Sequence, residues 1–330
     1  MNVSGYLDSY PGMYVIQSLV HSLTAALIVD RAVRIWKIED PLVRQRFSFM
    51  VILLPLFSFP VYQLLNPERS SFYSRFSAIF DSSRWLNMEL WGMVSLNLIL
   101  IILLGITTLI FLFQELLPVL MHTFKSNKYP LETVRPAAGS AVSLALDAMK
   151  ANAPDIFIIE DKDFILFSKT GRKGGVYLSS GVIDALDIGE LQGALAHEIA
   201  HIERNKKLFL PVLFLLRAAM FFNPVVLLEF RRIVHEEEKI CDDIAVSLTG
   251  KPSALARTLK RLYHETGDIS PSDFDRLSDL SASVEAHSHN LHLQSRIGRL
   301  EQMPAPDVGR AWAELVLTLI VIISINYYVI

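Results

Sequence analysis

One cysteine in 330 residues, Cys241, leaves no intrachain disulfide framework and no C-x-x-C zinc or redox pair, and it suits a reducing compartment for the part that carries it. Charge of neither sign dominates. Against 34 Asp and Glu stand 31 Lys and Arg, a net charge of −3, so no basic field argues for nucleic acid as a direct partner. No internal repeat is visible. The leader before the first apolar run contains Asp8 but no Lys or Arg, whereas a cleaved signal peptide would carry its positive charge in front. An uncleaved anchor with an external N-terminus is expected. What the chain has in excess is apolar residues, 52% of the total, too many for an ordinary water-soluble domain of this length. A membrane protein is expected.

Three apolar runs open the chain, from about Met13 to Asp30, from Phe47 to Leu65, and from about Trp91 to Val119. Pro55 and Pro60 in the second are tolerable in a bilayer helix. Arg31, Arg34, Lys37, Arg44 and Arg46 gather between the first two runs and place that connection in the cytoplasm. The next loop, Asn66 to Glu89, is then external, and its Phe72, Tyr73, Phe76 and Trp85, with Trp91 beyond, form an interfacial aromatic belt. A last run, Ala311 to Ile330, would extend about 30 Å as a helix and cross once. The expected protein is a multi-pass resident of the cell membrane, with both termini external and a cytosolic domain between the third and fourth spans.

The expected divisions are a transmembrane region over 1–120, a cytosolic domain over 121–310 and a fourth span over 311–330. Within the middle part, Ala137 to Met149 reads as a helix, and Ile156–Ile159, Phe164–Phe167 and Val176–Leu178 read as strands of a small antiparallel sheet. Asp187 and Glu190 make a capping pair opening a further helix. A charged helix is read over 231–248, another from Pro252 to Tyr263, a flexible loop over 264–290, and a short helix over Leu293 to Glu301. The fold class is therefore mainly α, four transmembrane helices with a cytosolic α+β domain.

The capped helix carries Ala196-His-Glu-Ile-Ala-His-Ile202. His197 and His201, one turn apart, can reach one metal ion, and Glu198 lies beside them as a general base for an activated water. Such an H-E-x-x-H match arises by chance in about one chain in a hundred of this length. A catalytic zinc needs a third protein ligand. Downstream, Glu238 and Asp242 are the one carboxylate pair at i, i+4 in the acidic stretch 235–243, which favours Glu238 as that ligand and Asp242 as the acceptor behind a ligand histidine. His235, one turn before Glu238, is a competing ligand or a stabiliser of the tetrahedral intermediate. Cys241 suits buried packing better than ligation, and His287, His289 and His292 suit solvated loop positions.

The oily stretch 208–230 would separate His197 from this acidic run if it crossed the bilayer once. A bent or re-entrant hairpin is expected instead. The strand near Gly175 to Ser179 is a candidate edge for holding a substrate extended.

Leu191 to Arg204, Phe221 to Val226, Glu238 to Asp243 and Arg296-Ile297 together resemble the BlaR/MecR-type antirepressor membrane metallopeptidases. The E-x-x-C-D form favours them over HtpX and CAAX prenyl peptidases, which usually have Ala where Cys241 stands. The resemblance implies one catalytic zinc held by His197, His201 and Glu238, Glu198 as catalytic base, Asp242 as an orienting residue, and cleavage of a cytosolic transcriptional repressor or of the protein itself. The sequence ends at Ile330 without an external penicillin-binding domain, so β-lactam sensing is not expected. The expected partners are the lipid bilayer and a protein or peptide substrate, and an oligomer is compatible with the sequence. The competing readings are a membrane-protein quality-control or prenyl-protein-type peptidase, and a non-catalytic metal-binding receptor or scaffold.

Overall fold

The computed structural model describes residues 9–70, 78–79, 81, 84–85, 88–90, 94–117, 133–149, 154–169, 174–205, 209–267, 292–302 and 311–329. The chain divides into two compact units, one built from 1–128, 211–236 and 306–330, the other from 129–210 and 237–305.

The first unit is helical. Helix α1 (Tyr10–Ile35) starts at Ser9, whose hydroxyl accepts from the Gly12 amide. Helix α2 (Pro41–Leu65) starts at Asp40, whose carboxylate accepts from the Leu42 and Val43 amides, with Pro41 preset for the first helical position. The third long helix runs from Leu96 to Leu116, regular over Leu96–Ile110 (α3) and widened to a π turn over Phe111–Leu116. Short strands β1 (Glu89–Leu90) and β2 (Val94–Ser95) pair just ahead of it. Among the described residues, these three helices alone are long and apolar enough to cross a membrane. The fourth expected span is a helix of 17 residues, Ala311–Tyr327, about 25 Å long and short of the roughly 30 Å core.

Ala25, Val29, Phe47, Val51 and Ile322 form the apolar centre of this unit. Several of the polar side chains buried inside it are paired with other side chains or with backbone carbonyls. His21 Nδ1 lies 2.6 Å from Ser58 Oγ, Asn326 Nδ2 donates to the His21 carbonyl, and the buried Arg69 donates to the carbonyls of Asn326, Tyr327 and Val329. Unpaired, such groups would cost several kcal/mol each away from water.

The segment 208–230 is not one straight helix. Helix α7 (Phe209–Ala219), only 11 residues, ends before a turn, and Asn223 caps a new helix α8 (Pro224–Thr249) by accepting from the Val225 and Val226 amides. The charged helix expected over 231–248 is thus the later part of a longer one. The apolar start of α8 hid its boundary, because its periodicity matches that of a buried hairpin arm.

The second unit contains a four-stranded sheet in the order β3 (Thr133–Val134), β4 (Ile156–Ile159), β6 (Gly175–Ser179), β5 (Leu166–Lys169). The sheet is mixed, not antiparallel as expected. β4 and β6 run parallel, while β5 and β3 pair antiparallel to their neighbours. Burial explains the order: Val176 and Leu178 of β6 are fully buried, so this strand takes the inside position, whereas the Leu-Phe-Ser-Lys run of β5, also two residues later than expected, suits an edge. Gly175 is needed at the close approach of β6, since a Cβ there would stand 2.4 Å from the Asp155 carbonyl oxygen. The expectation that Gly175 to Ser179 offers a free edge is overturned, because β6 is paired on both sides.

Around the sheet pack α4 (Ala141–Asp147), α5 (Ser180–Ala185), α6 (Ile188–Asn205) and α9 (Pro252–Gly267), with a core that includes Val142, Val182, Leu191, Leu195, Ile199 and Leu255. Helix α9 carries through 264–267, so the first residues of the expected loop are helical, and the rest of that loop lies outside the described residues. A helix over 292–302, here α10, is docked into the same core by Leu293, Ile297 and Leu300.

Candidate metal centre

Helix α6 is started by a reciprocal cap. The Glu190 amide donates to Asp187 Oδ1 at 2.7 Å and the Asp187 amide to Glu190 Oε2 at 3.2 Å, the pairing that the spacing predicts. Glu190 is itself buried, and Arg257 and Arg261 of α9 pair with it. From that fixed start the 3.6-residue period puts Leu191, Leu195, Ile199 and Ile202 into the core, and leaves His197, Glu198 and His201 half-buried. Arg204 locks the far end of the helix to α8 through a two-point contact with Glu237, which raises the guanidinium pKa.

Helix α8 supplies Glu238 and Asp242. The Nε2 atoms of His197 and His201 lie 3.1 Å apart, and the Glu238 oxygens lie 3.5 Å from each. Three donor atoms bound to one zinc ion at 2.0 to 2.1 Å in a tetrahedron would stand about 3.4 Å apart. The spacing therefore fits a single ion, and among the described residues these three side chains form the one such cluster.

The opposite ring nitrogens also have neighbours. Asp242 Oδ1 stands 3.0 Å from His197 Nδ1, at ion-pair distance but off the line of a hydrogen bond, and Cys241 Sγ stands 3.5 Å from His201 Nδ1. A carboxylate beside Nδ1 favours the proton there and leaves Nε2 as a lone-pair donor. Cys241 is fully buried, and burial beside Glu237 and Glu238 pushes its thiol pKa up, so it is a neutral packing group behind the ring. Arg296 of α10 closes the arrangement. Its Nε and Nη2 donate to the two Asp242 oxygens at 2.7 and 2.8 Å, and its Nη1 lies 3.0 Å from Glu238 Oε2.

The charges follow from these contacts. Burial would lower the His197 pKa, but Asp242 and Glu238 outweigh it and hold the imidazole up at about 9. Burial, helped by the neighbouring His197, lowers His201. For the carboxylates burial works upward and loses: His197 and Arg296 bring Glu238 down to about 2, and Arg296 and His197 do the same for Asp242.

Of the other residues singled out from the sequence, Glu198 follows His197 on α6, and His235 is half-buried on α8 outside the cluster. His292 begins α10 and is not in the cluster, while His287 and His289 lie outside the described residues. Arg296 entered the sequence reading only through the Arg296-Ile297 stretch of the family resemblance, with no role at the site assigned to it. A signal was present: Leu293, Ile297 and Leu300 define a buried stripe, which turns Arg296 and Arg299 together toward acidic Asp242 and Asp243.

Residues 145–261 match the model of peptidase family M48, a family of zinc metallopeptidases. The match covers all of α6 and α8 and the first part of α9, and so both histidines, Glu198, Glu238 and Asp242. Over 231 residues, 55% of this chain and 80% of the relative, the chain is 25% identical to a protease HtpX homolog of Acidiphilium cryptum (strain JF-5). With the apolar helices, these similarities support a membrane-associated metallopeptidase.

Proposed function

We propose that this chain is an integral-membrane zinc-dependent endopeptidase acting at the cytosolic face of the membrane, in regulated signalling through cleavage of a repressor or of itself. The observation that carries the reading is the convergence of two imidazole Nε2 atoms and one carboxylate at ligand spacing, with a glutamate next to the first histidine. His197, His201 and Glu238 would hold the ion. Zinc bound there supplies Lewis acidity, making water a better nucleophile at neutral pH and polarising a peptide carbonyl. Glu198 takes the proton of the attacking water and passes it to the leaving amine. Asp242 keeps His197 in the tautomer that presents Nε2. Among the described residues β5 pairs on one side only, and its other edge is the one to which an extended substrate would add, since β6 is paired on both sides.

The basic loop between α1 and α2 favours a cytosolic position for it, and external termini follow if Ala311–Tyr327 completes a fourth crossing, with α7 and its turn as the re-entrant hairpin. The antirepressor reading, as opposed to membrane-protein quality control, is supported by the Glu238-Lys-Ile-Cys-Asp242 run with Cys241 behind His201. Likeness to a relative named as a protease HtpX homolog supports peptidase activity in either reading. Glu198→Gln is expected to retain one zinc per chain and to lower cleavage of a candidate repressor at least a hundredfold, a loss within the usual range for a general base. Undiminished cleavage by that variant would sink the assignment. Equal cleavage of unfolded membrane substrates by the unaltered protein would favour quality control.

A further inference from the structure

Arg296 lies beyond the segment matched to the peptidase family, yet its guanidinium touches two of the site's carboxylates at once. We infer that Arg296 is a positioning residue that sets the zinc site's ligand geometry, holding Glu238 directly and His197 through Asp242. The inference rests on the zinc reading above.

Helix α10 is seated by its apolar stripe, and it has a separate ionic anchor one turn further on, where Arg299 pairs with Asp243. Arg296 is therefore not required merely to dock the helix. Its fork takes both oxygens of Asp242, and the oxygen it shares with His197 Nδ1 is one of them. Its third nitrogen, Nη1, is 3.0 Å from Glu238 Oε2. Glu238 and Asp242 are like charges one helical turn apart, an arrangement that repels unless a cation lies between them. A planar fork with five donors can bridge both carboxylates, whereas a lysine ammonium is a point charge on a flexible stem. The guanidinium side chain is only 13% exposed, so little water is at hand to replace these bonds.

The test uses the full chain in lipid nanodiscs, with zinc affinity measured by competition against a fluorescent chelator, and cobalt substituted as a spectroscopic reporter of ligand geometry. Arg296→Ala is expected to weaken zinc binding about 10- to 100-fold, the range for an outer partner of a metal ligand, and to alter the visible cobalt bands. Arg296→Lys should remain at least tenfold weaker than the unaltered chain. Arg299→Ala, which removes the anchor alone, should stay within about twofold. Tighter zinc binding by Arg296→Ala would mean that the guanidinium only repels the ion, and would overturn the inference. Unaltered affinity in Arg296→Lys would reduce its role to net charge, with the same result. Should Arg296→Ala fail to fold, the lysine variant decides alone. If the unaltered chain binds no zinc, the metal reading fails and this inference with it; if it binds zinc and both Arg296 variants match it, only this inference fails.

Discussion

If His197, His201 and Glu238 hold zinc as proposed, stripping it with a chelator and then varying pH exposes how the site is balanced. In the stripped protein His197 faces two carboxylates, and its pKa stands at about 9 against an ordinary 6.5. Because the folded value is the higher one, the imidazolium contributes stability that is fully present below about pH 6.5 and is lost as pH rises through about 9. That difference is worth on the order of 3 kcal/mol at about 1.4 kcal/mol per decade. Glu238 and Asp242, both near 2, act in the opposite sense: their contribution is present above about pH 4.5 and is lost as pH falls toward 2. Stripped protein should therefore be most stable between about pH 4.5 and 6.5, and should weaken toward pH 9. Zinc needs His197 without its proton at Nε2. His201 is shifted downward and both carboxylates are ionised, so loading at pH 7 should release about one proton per zinc, from His197. Calorimetric titrations in buffers of different ionisation enthalpy count that proton directly. Release of none at pH 7 would refute the charge assignment, and denaturant melts of stripped protein that are flat from pH 6 to 9 would do the same.

Other perturbations test individual supports. Asp242→Asn keeps the shape behind His197 but removes the charge, and zinc affinity is expected to fall about 10- to 100-fold by chelator competition. Gly175→Ala forces a methyl to within 2.4 Å of a backbone oxygen, so urea unfolding should register a loss of about 1 to 3 kcal/mol. Leu195 is fully buried on the core face of α6, and Leu195→Ala should cost about 2 to 5 kcal/mol in the same assay without changing the zinc stoichiometry.

The grouping at the metal centre was legible because it depends on helical spacing within two short stretches. His197 and His201 share a face, as do Glu238 and Asp242, and the cap at Asp187 fixes where the first of these helices starts. Arg296 was harder to read, since its partners lie 54 residues back in the chain and the docking of α10 had to be known first. The sheet illustrates the same limit. Three of its strands announced themselves through β-branched and aromatic runs, but their order depended on which strand could tolerate burial on both sides, a comparison among segments that no single window contains. The break at Met220 to Asn223 was expected as a bend on connectivity grounds, yet the length of α8 was not, because its first turns are as oily as the arm before them.

The third long helix differs from its two companions in a way that matters for the lipid around it. Only 11% of its most apolar window is covered by protein, against 44% for each of the others, and its 21 residues span about 31 Å. That length matches an average hydrocarbon slab. Where the slab thins, α1 and α2 are held at a shared angle by their mutual contacts, whereas this helix is tied at its Phe111–Glu115 end to Arg217, Phe221 and Arg231 and can pivot about that end for a fraction of a kcal/mol per ångström of mismatch. Acyl-chain length should thus register in the orientation of this one rod before it disturbs the rest.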